Sequence, residues 1–501
     1  VNPSNCVASS LHPNVRQQLA VKVLAKQESI SHLANQEQVS RKFLYQQKAI
    51  AKGALTSAFE KKKTENEVLY YLPVTQQWIF QLILALILIC QCSYRGVVEL
   101  LRDLFDYSLS VGTIHNRVKE AVQKARKINQ SQNLSAIEVA LLDELFQGNQ
   151  PVLTGVDARS TYCFLLEEVE NRDEDTWGWY LLEAESQGLN PDYTIADAGQ
   201  GIRAGQKAAW SNDIACHGDV WHLFDQCDTL CRNLAKKAQG ATTKREELEQ
   251  KMTEAKLRGK GNKLSAKLTK AHKNEAVLQK VASDIKILLF WLRNDILSLA
   301  GAEWSERMEL MNFIIEELQL REDQAHKGIK ALRVALSNQK GNLLAFAEVL
   351  DQKLVDIAHT FQISLSQVRQ VCLLMKKSLS TNVYWQKWNQ LYKQLKAKFL
   401  PVTEAVESAM KSTPRASSLV ENLKASIGYA GETPASLSLN SRLRNYFFLR
   451  KHLNSDYLDL LRFFLNHRTF IESRVPERVG KSPTELMTGI KHPHWLEMHR
   501  I

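Results

Sequence analysis

Apolar positions change texture along this chain near Ala136. Before that point they recur at three- and four-residue spacing, the mark of helices that bury one face. Ile30–Gln36 predicts a short helix, residues 37–39 a turn, and Ser40 the N-cap of a second helix that carries Arg41, Lys42 and Tyr45 on its first turns. Trp78–Cys90 is almost wholly apolar but shorter than the ~20 residues a bilayer needs, which predicts a buried helix and no membrane span. Tyr94–Phe105 predicts another helix, and after a turn at residues 107–109 Ser110 caps a helix that begins Val111-Gly-Thr113-Ile-His115-Asn116-Arg117. Beyond Ala136, Val139–Leu145, Pro151–Val156 and Tyr162–Val169 are short β-branched and aliphatic runs separated by turn residues, and they predict three successive strands. An amphipathic helix over Asp175–Gln187 follows, then a strand ending at Asp197, a helix, a strand over Asp213–Val220 and a helix from near His222.

From about Asp225 to Pro401 nearly everything has helical period. Arg232–Lys286 is dense in Lys, Glu, Gln and Ala with a break at residues 258–262, which predicts a long charged hairpin: a solvated face, or an arm that contacts a nucleic-acid backbone. Leu288–Leu297, Met308–Leu318, Leu343–Ile357 and Gln362–Met375 are more apolar and predict a small bundle. Three antiparallel strands, then helix, strand, helix and strand, is the order of a ribonuclease-H-like sheet. The expected architecture is therefore an α/β ribonuclease-H-like core with an all-α insertion, preceded by tandem helix-turn-helix units. The boundaries fall at 1–60 and 68–130 for the two helical units, 136–224 for the first part of the core, 225–400 for the insertion and 401–501 for the rest of the core. Two helical hairpins without a ligand are the plainer reading of the first two units, but both carry a Ser cap and basic residues on the turns that a recognition helix presents to the major groove.

Composition adds a partner class. A chain of 501 residues is too long for one ordinary core. Its net charge of +11 favours a polyanionic partner, DNA or RNA first. The eight cysteines have no framework spacing, which fits a reducing compartment rather than a secreted disulfide scaffold. Cys216, His217, Cys227 and Cys231 lie close in sequence, but in a spacing that matches no standard zinc finger.

Three acids stand out against this background. Asp143 and Asp197 end or interrupt strand-like runs, and Glu421 opens a polar helical stretch. Two strand-borne aspartates and a helix-borne glutamate are the oxygen donors a nuclease uses to hold a pair of Mg²⁺ ions against a phosphodiester. Asp157, on the next strand, competes with Asp143 for the first place, while Glu144 points to the opposite face of its strand.

These residues carry a family likeness. Leu141-Leu-Asp143-Glu144 followed by Val152-Leu-Thr-Gly-Val-Asp157, then Ile195-Ala-Asp197-Ala-Gly199, Asp219-Val-Trp-His222, and Asn466-His-Arg468 with Glu477 to Leu486, resemble in order the segments of DDE-class insertion-sequence transposases of the retroviral-integrase superfamily. The resemblance implies Asp143, Asp197 and Glu421 as ligands of two Mg²⁺ or Mn²⁺ ions, with Asp219 and His222 as a supporting pair. It implies strand cleavage and strand transfer on double-stranded DNA, both at terminal inverted repeats and at target DNA, by a homodimer or larger synaptic complex. Arg41, Lys42, Tyr45, Thr113, His115, Asn116 and Arg117 are then the DNA readers, and Arg442 and Arg444 the phosphate contacts beside the site.

One departure stands out. The family pattern runs from the glutamate directly into a helix, whereas here Val420-Glu421-Asn422-Leu423 is separated from Asn440-Ser441-Arg442-Leu443-Arg444 by residues 424–439, which carry Gly428, Gly431 and Pro434. Removing that stretch restores a continuous amphipathic pattern, which reads as an in-frame insertion. The alternative it raises is an impaired or domesticated transposase that only binds DNA. Trp291, Trp304, Trp385 and Trp388 in the helical insertion are core residues by default, with stacking on unpaired bases as the other use.

Overall fold

A computed structural model describes the chain except residues 1–10, 60–70, 148, 198, 259–261, 376–380, 416–454, 474 and 500–501. It divides into two compact units, Val1–Thr75 and Gln76–Ile501.

The first unit contains α1 (Pro13–Leu24), α2 (Ile30–Gln36) and α3 (Arg41–Phe59), closed on a small core of Leu19, Val23, Leu33, Ala34, Val39 and Leu44. Ser29 caps α2 by accepting from the His32 N–H at 3.2 Å, and Ser40 accepts from Phe43 N–H at 3.1 Å at the head of α3. Gln38 takes a left-handed backbone (φ 52°) between them, which turns the chain sharply enough for α3 to cross α2.

In the second unit, α4 (Gln76–Leu88), α5 (Tyr94–Phe105) and α6 (Val111–Ser131) precede a five-stranded sheet. Its strands are β1 (Val139–Gln147), β2 (Gln150–Asp157), β3 (Cys163–Glu168), β4 (Tyr193–Ala196) and β5 (Ala215–Gly218), in the order β3-β2-β1-β4-β5. The β1–β2 and β2–β3 pairs are antiparallel, whereas β4 runs parallel to β1 and β5 parallel to β4. Between the parallel strands lie α7 (Glu174–Ser186) and α8 (Gln200–Trp210). The fifth strand is shorter than the sequence pattern suggests, because Asp219 ends it and caps the next helix from Val220.

Alternation along the strands splits the sheet residues between two cores. Ala140, Leu142, Leu153, Phe164 and Ala196 pack with Trp177 and Leu181 of α7 and Ile202 of α8. Leu141, Val152, Val156 and Ile195 pack with α4, α5, α6 and the helix Ser455–His467. The second expected helical unit, residues 68–130, is therefore from Gln76 onward part of the same compact unit as the sheet. Its helices are too apolar on one side to close on themselves, and the sheet takes up that surface. α4 is the apolar run seen in the sequence, buried as expected, and among the described residues no helix is long and apolar enough to cross a membrane.

All regular structure described from Val220 to Lys411 is helical. α9 (Val220–Leu257) and α10 (Asn262–Trp291) form a long antiparallel hairpin. α11 (Trp304–Gln319), α12 (Lys327–Phe361), α13 (Leu365–Leu374), α14 (Thr381–Leu395) and α15 (Phe399–Lys411) form two further cores. The two expected helices near 343–357 and 362–375 differ from this: the first is the end of the much longer α12, and a left-handed Gln362 (φ 49°) separates it from the second.

Helix α16 (Ser455–His467) is fastened to β3 at the edge of the sheet by Asn466 and Arg462. The buried Asn466 amide accepts from Cys163 N–H and donates to Cys163 C=O, both at 2.8 Å, so it pairs with β3 as a neighbouring strand would. Arg462 Nε reaches the same carbonyl at 3.2 Å, and Arg126 of α6 holds Asp459 and Asp456 at 2.6 and 2.8 Å. After α16, Ser482 and Glu485 form a capping box at the start of α17 (Pro483–Thr488).

Replacing Asn466 by Ala leaves the buried Cys163 N–H without its partner while Arg462 still serves the carbonyl, and the expected loss is about 1–3 kcal/mol. Urea unfolding of Asn466→Ala against the parent measures it; an unchanged midpoint would show that α16 is held by other contacts.

Candidate functional site

Strand register sets the site. Leu141 of β1 pairs with Ile195 of β4, and Ile195 pairs in turn with His217 of β5. Two residues further along each chain stand Asp143, Asp197 and Asp219. A two-residue step returns each side chain to the same face, and neighbouring strands lie about 4.8 Å apart, so the three carboxylates form a row across the ends of the parallel strands. β4 and β5 stop at Ala196 and Gly218, which leaves Asp197 and Asp219 at the mouth of the sheet, while Asp143 sits where β1 continues alongside β2.

Each carboxylate is held by a nearby backbone N–H. Asp143 Oδ1 accepts from Glu144 N–H at 2.9 Å, Asp197 Oδ1 from Gly199 N–H at 2.8 Å, and Asp219 Oδ1 from Trp221 N–H at 2.7 Å. Asp143 and Asp219 are buried and Asp197 half-buried. Asp197, Asp219 and His222 line a pocket of about 140 Å³ whose far wall is Ala335, Gln339 and Leu343 of α12. Gly218 lets that wall approach: a Cβ there would lie 3.1 Å from the backbone nitrogen of Leu343.

His222, on the first turn of α9, supplies the positive charge in this acidic row. Its Nε2 is 3.6 Å from Asp219 Oδ2 and 3.9 Å from Asp143 Oδ1, contacts that are electrostatic rather than hydrogen-bonded. Asp143 is the main cause that raises the imidazole pKa to about 9; burial works against it, and Asp219 and Asp197 add to the rise. The ring is therefore charged at neutral pH. The expected Asp219–His222 pair is present, and it also includes Asp143.

The competing acids have other occupations. Asp157 faces the β2–β3 connection, where its carboxylate accepts from the Ser160 N–H at 2.8 Å and from the Ser160 hydroxyl. Glu144, on the opposite face from Asp143, accepts from Trp177 Nε1 at 3.0 Å and pairs with Arg172. Glu421, Arg442, Arg444 and the 424–439 stretch lie outside the described residues. One cation escaped sequence reasoning: Arg203, on the first turns of α8, donates from Nε to the Asp197 carbonyl at 3.2 Å, and its Nη2 is buried without a hydrogen-bond partner. Its only trace in the sequence is a place one helical turn beyond the Asp197-Ala-Gly segment.

Among the described residues no group of three or more His, Cys, Asp or Glu side chains stands in a coordinating arrangement. The donor chemistry nevertheless suits a hard divalent cation, since all three ends of the row are carboxylates. The Thr154 hydroxyl, directly across β2 from Asp143, and His222 Nε2 are buried polar atoms without hydrogen-bond partners. His217 and the cysteines near it do other work. His217 stacks on Tyr193 with ring centres 4.1 Å apart and is kept neutral by burial, which lowers its pKa to about 4; burial also pushes the Cys227 thiol up to about 12.

The expected DNA readers lie on one helix of each unit. Arg41, Lys42 and Tyr45 are exposed on the first turns of α3. His115 and Asn116 are exposed on the first turns of α6. Thr113 is half-buried there, its N–H held by Ser110 Oγ at 3.0 Å, and Arg117 pairs with Glu120 at 3.0 Å. No protein-family model matches the chain, and no curated protein matches it.

The charge on His222 has a stability consequence. Its pKa is raised in the folded state to about 9 from 6.5, so its contribution is complete below the unfolded value and disappears as pH rises through the folded one. The stability deficit of His222→Gln, read by urea unfolding, is expected to be largest at about pH 6 and to narrow at about pH 10. An equal deficit at both would show that the imidazolium does not interact with the row.

Proposed function

We propose that this chain is a DDE-class DNA transposase, with a ribonuclease-H-like catalytic core, an all-helical insertion and helix-turn-helix units that grip transposon ends. The observation that carries the reading is the register-aligned row of Asp143, Asp197 and Asp219 across the mouth of a β3-β2-β1-β4-β5 sheet. That strand order, with three antiparallel strands followed by two parallel ones, fits a ribonuclease-H-like core, and ligand chemistry in open α/β sheets gathers beyond the carboxyl ends of parallel strands.

In this reading Asp143 and Asp197, with Glu421, would hold two Mg²⁺ or Mn²⁺ ions, and the chemistry such ions would supply is activation of the attacking oxygen and stabilisation of the departing 3′ oxygen. The chain's own residues arrange the rest. Backbone N–H groups of Glu144, Gly199 and Trp221 fix the rotation of the carboxylates, so that they need no reorganisation on substrate binding. Asp219 restrains His222 beside Asp143. Arg203 brings a guanidinium to the edge of the row, where a DNA phosphate arrives. The exposed first turns of α3 and α6 offer Arg41, Lys42, Tyr45, His115 and Asn116 to a groove. Joining two ends requires two such sites, so the working form is at least a dimer.

The test is strand cleavage on a labelled duplex carrying the DNA that flanks the reading frame, with and without Mg²⁺. Asp143→Asn and Asp197→Asn are each expected to lower cleavage by more than about 100-fold, beyond the about 10–100-fold typical of a residue that only orients a ligand, the range expected for Asp219→Asn. Binding by the parent without cleavage would leave a DNA-binding protein in place of an enzyme. Cleavage unaffected in either of the first two variants would remove the row from the chemistry.

A further inference from the structure

The α9–α10 hairpin outgrows the core that it starts from. Buried residues on its seam reach Leu234 and Ala241 on α9 and begin again only at Glu275 and Val281 on α10. Across Thr242–Arg258 and Leu264–Asn274 no side chain is fully buried. The half-buried positions there, such as Leu248, Met252, Leu264 and Leu268, fall at helical spacing on the one side where the two helices meet. This is a bare two-helix ribbon that extends about 25 Å past Ala241 at the usual rise per residue.

Its charges are sorted along its length. In the middle of the hairpin Arg245 sits on the seam and gathers the acids: Glu275 at 2.7 Å, Glu249 at 2.7 Å and Glu246 at 3.1 Å, with His272 3.2 Å from Glu249. Beyond this knot, the twenty residues between Glu254 and Glu275 contain seven Lys or Arg and no Asp or Glu. Lys256, Lys267, Lys270 and Lys273 are exposed, the last three at three-residue steps along α10, with the short polar side chains of Ser265 and Thr269 exposed beside them. A solvated helical ribbon would alternate its charges to cancel them. This one gathers Glu249 and Glu275 against Arg245 and presents a cationic end on which Leu257 is the single large exposed apolar side chain among the described residues, which suits a phosphate backbone better than a protein partner.

We propose that the distal half of the α9–α10 hairpin is an arm that contacts the phosphate backbone of double-stranded DNA without regard to sequence. The proposal rests on the reading of the chain as a DNA-acting protein, and adds a second contact surface remote from the aspartate row. Lysines on a rigid ribbon act as point charges and displace counterions. Each phosphate they neutralise steepens the fall of log affinity with log salt by about 0.9.

The experiment compares three full-length proteins on two unrelated duplexes across a salt series: the parent; an arm variant with Lys256→Gln, Lys267→Gln, Lys270→Gln and Lys273→Gln; and a control with Lys327→Gln, Lys330→Gln, Lys411→Gln and Lys491→Gln, which changes net charge equally from exposed sites elsewhere. Thermal unfolding confirms that all three are folded. The arm variant is expected to lose about 3 from the salt slope on both duplexes, while the control loses less than about 1. An arm variant with the parent's slope, or a control that loses as much, overturns the proposal and leaves DNA action intact. A parent with no salt-dependent duplex affinity overturns the DNA reading itself and the arm with it.

Discussion

Parallel pairing of β1, β4 and β5 in one register is the constraint on which the site depends. A slip of a single residue in β4 would turn Asp197 to the face occupied by Trp177 and Ile202 and bring Ala196 into the row. The register is protected on both sides, because Ile195 is locked among the residues of one core and Thr194 is tied to Gln206 of α8 at 2.6 Å on the other. Gln206 in turn donates to the Ile214 carbonyl at 3.0 Å, just before β5. One buried glutamine thus links the strand that bears the second aspartate to the entry of the strand that precedes the third.

The same sheet needs the far end of the chain. β3 is an edge strand, and an uncovered edge invites pairing with another molecule. Asn466 closes it with a side-chain amide, and α16 then buries Phe463 and Phe464 in the core that α4–α6 share with the sheet. The helical layer before the sheet and the helix near the C-terminus are therefore a single piece of packing, held across more than three hundred positions by the Arg126–Asp459 pair and by the Asn129 amide on the Asp459 carbonyl. The site's floor is assembled from contacts between residues far apart in the chain.

This explains which parts of the molecule were legible in the sequence. Strands showed themselves through local alternation, and caps through Ser40 and Ser110, because those signals live within a few residues of the chain. Asp143 and Asp197 drew attention for the same reason, each ending or breaking an apolar run. Asp219 was read only as a supporting residue. Its place in the row depends on how β5 registers against β4, and no local pattern carries register between distant segments. Arg203 was missed because a charged residue on the first turn of an amphipathic helix looks like any solvated one. The fusion of α4–α6 with the sheet was missed because a buried apolar helix does not say what it will be buried against.

The helical insertion is part of the site rather than an appendage. Its first helix begins immediately after Asp219 and carries His222, and its longest, α12, supplies Ala335, Gln339 and Leu343 as a wall of the pocket over the row. Gly218 permits that approach, and α6 and α16 share with α12, through Val349, the core under the same face of the sheet. A displacement of α12 by a turn would open the pocket and change the burial of His222, and so the balance that keeps it charged beside Asp143. The long helices after Val220 and the acids at the mouth of the sheet are coupled through that one imidazolium and the wall that covers it.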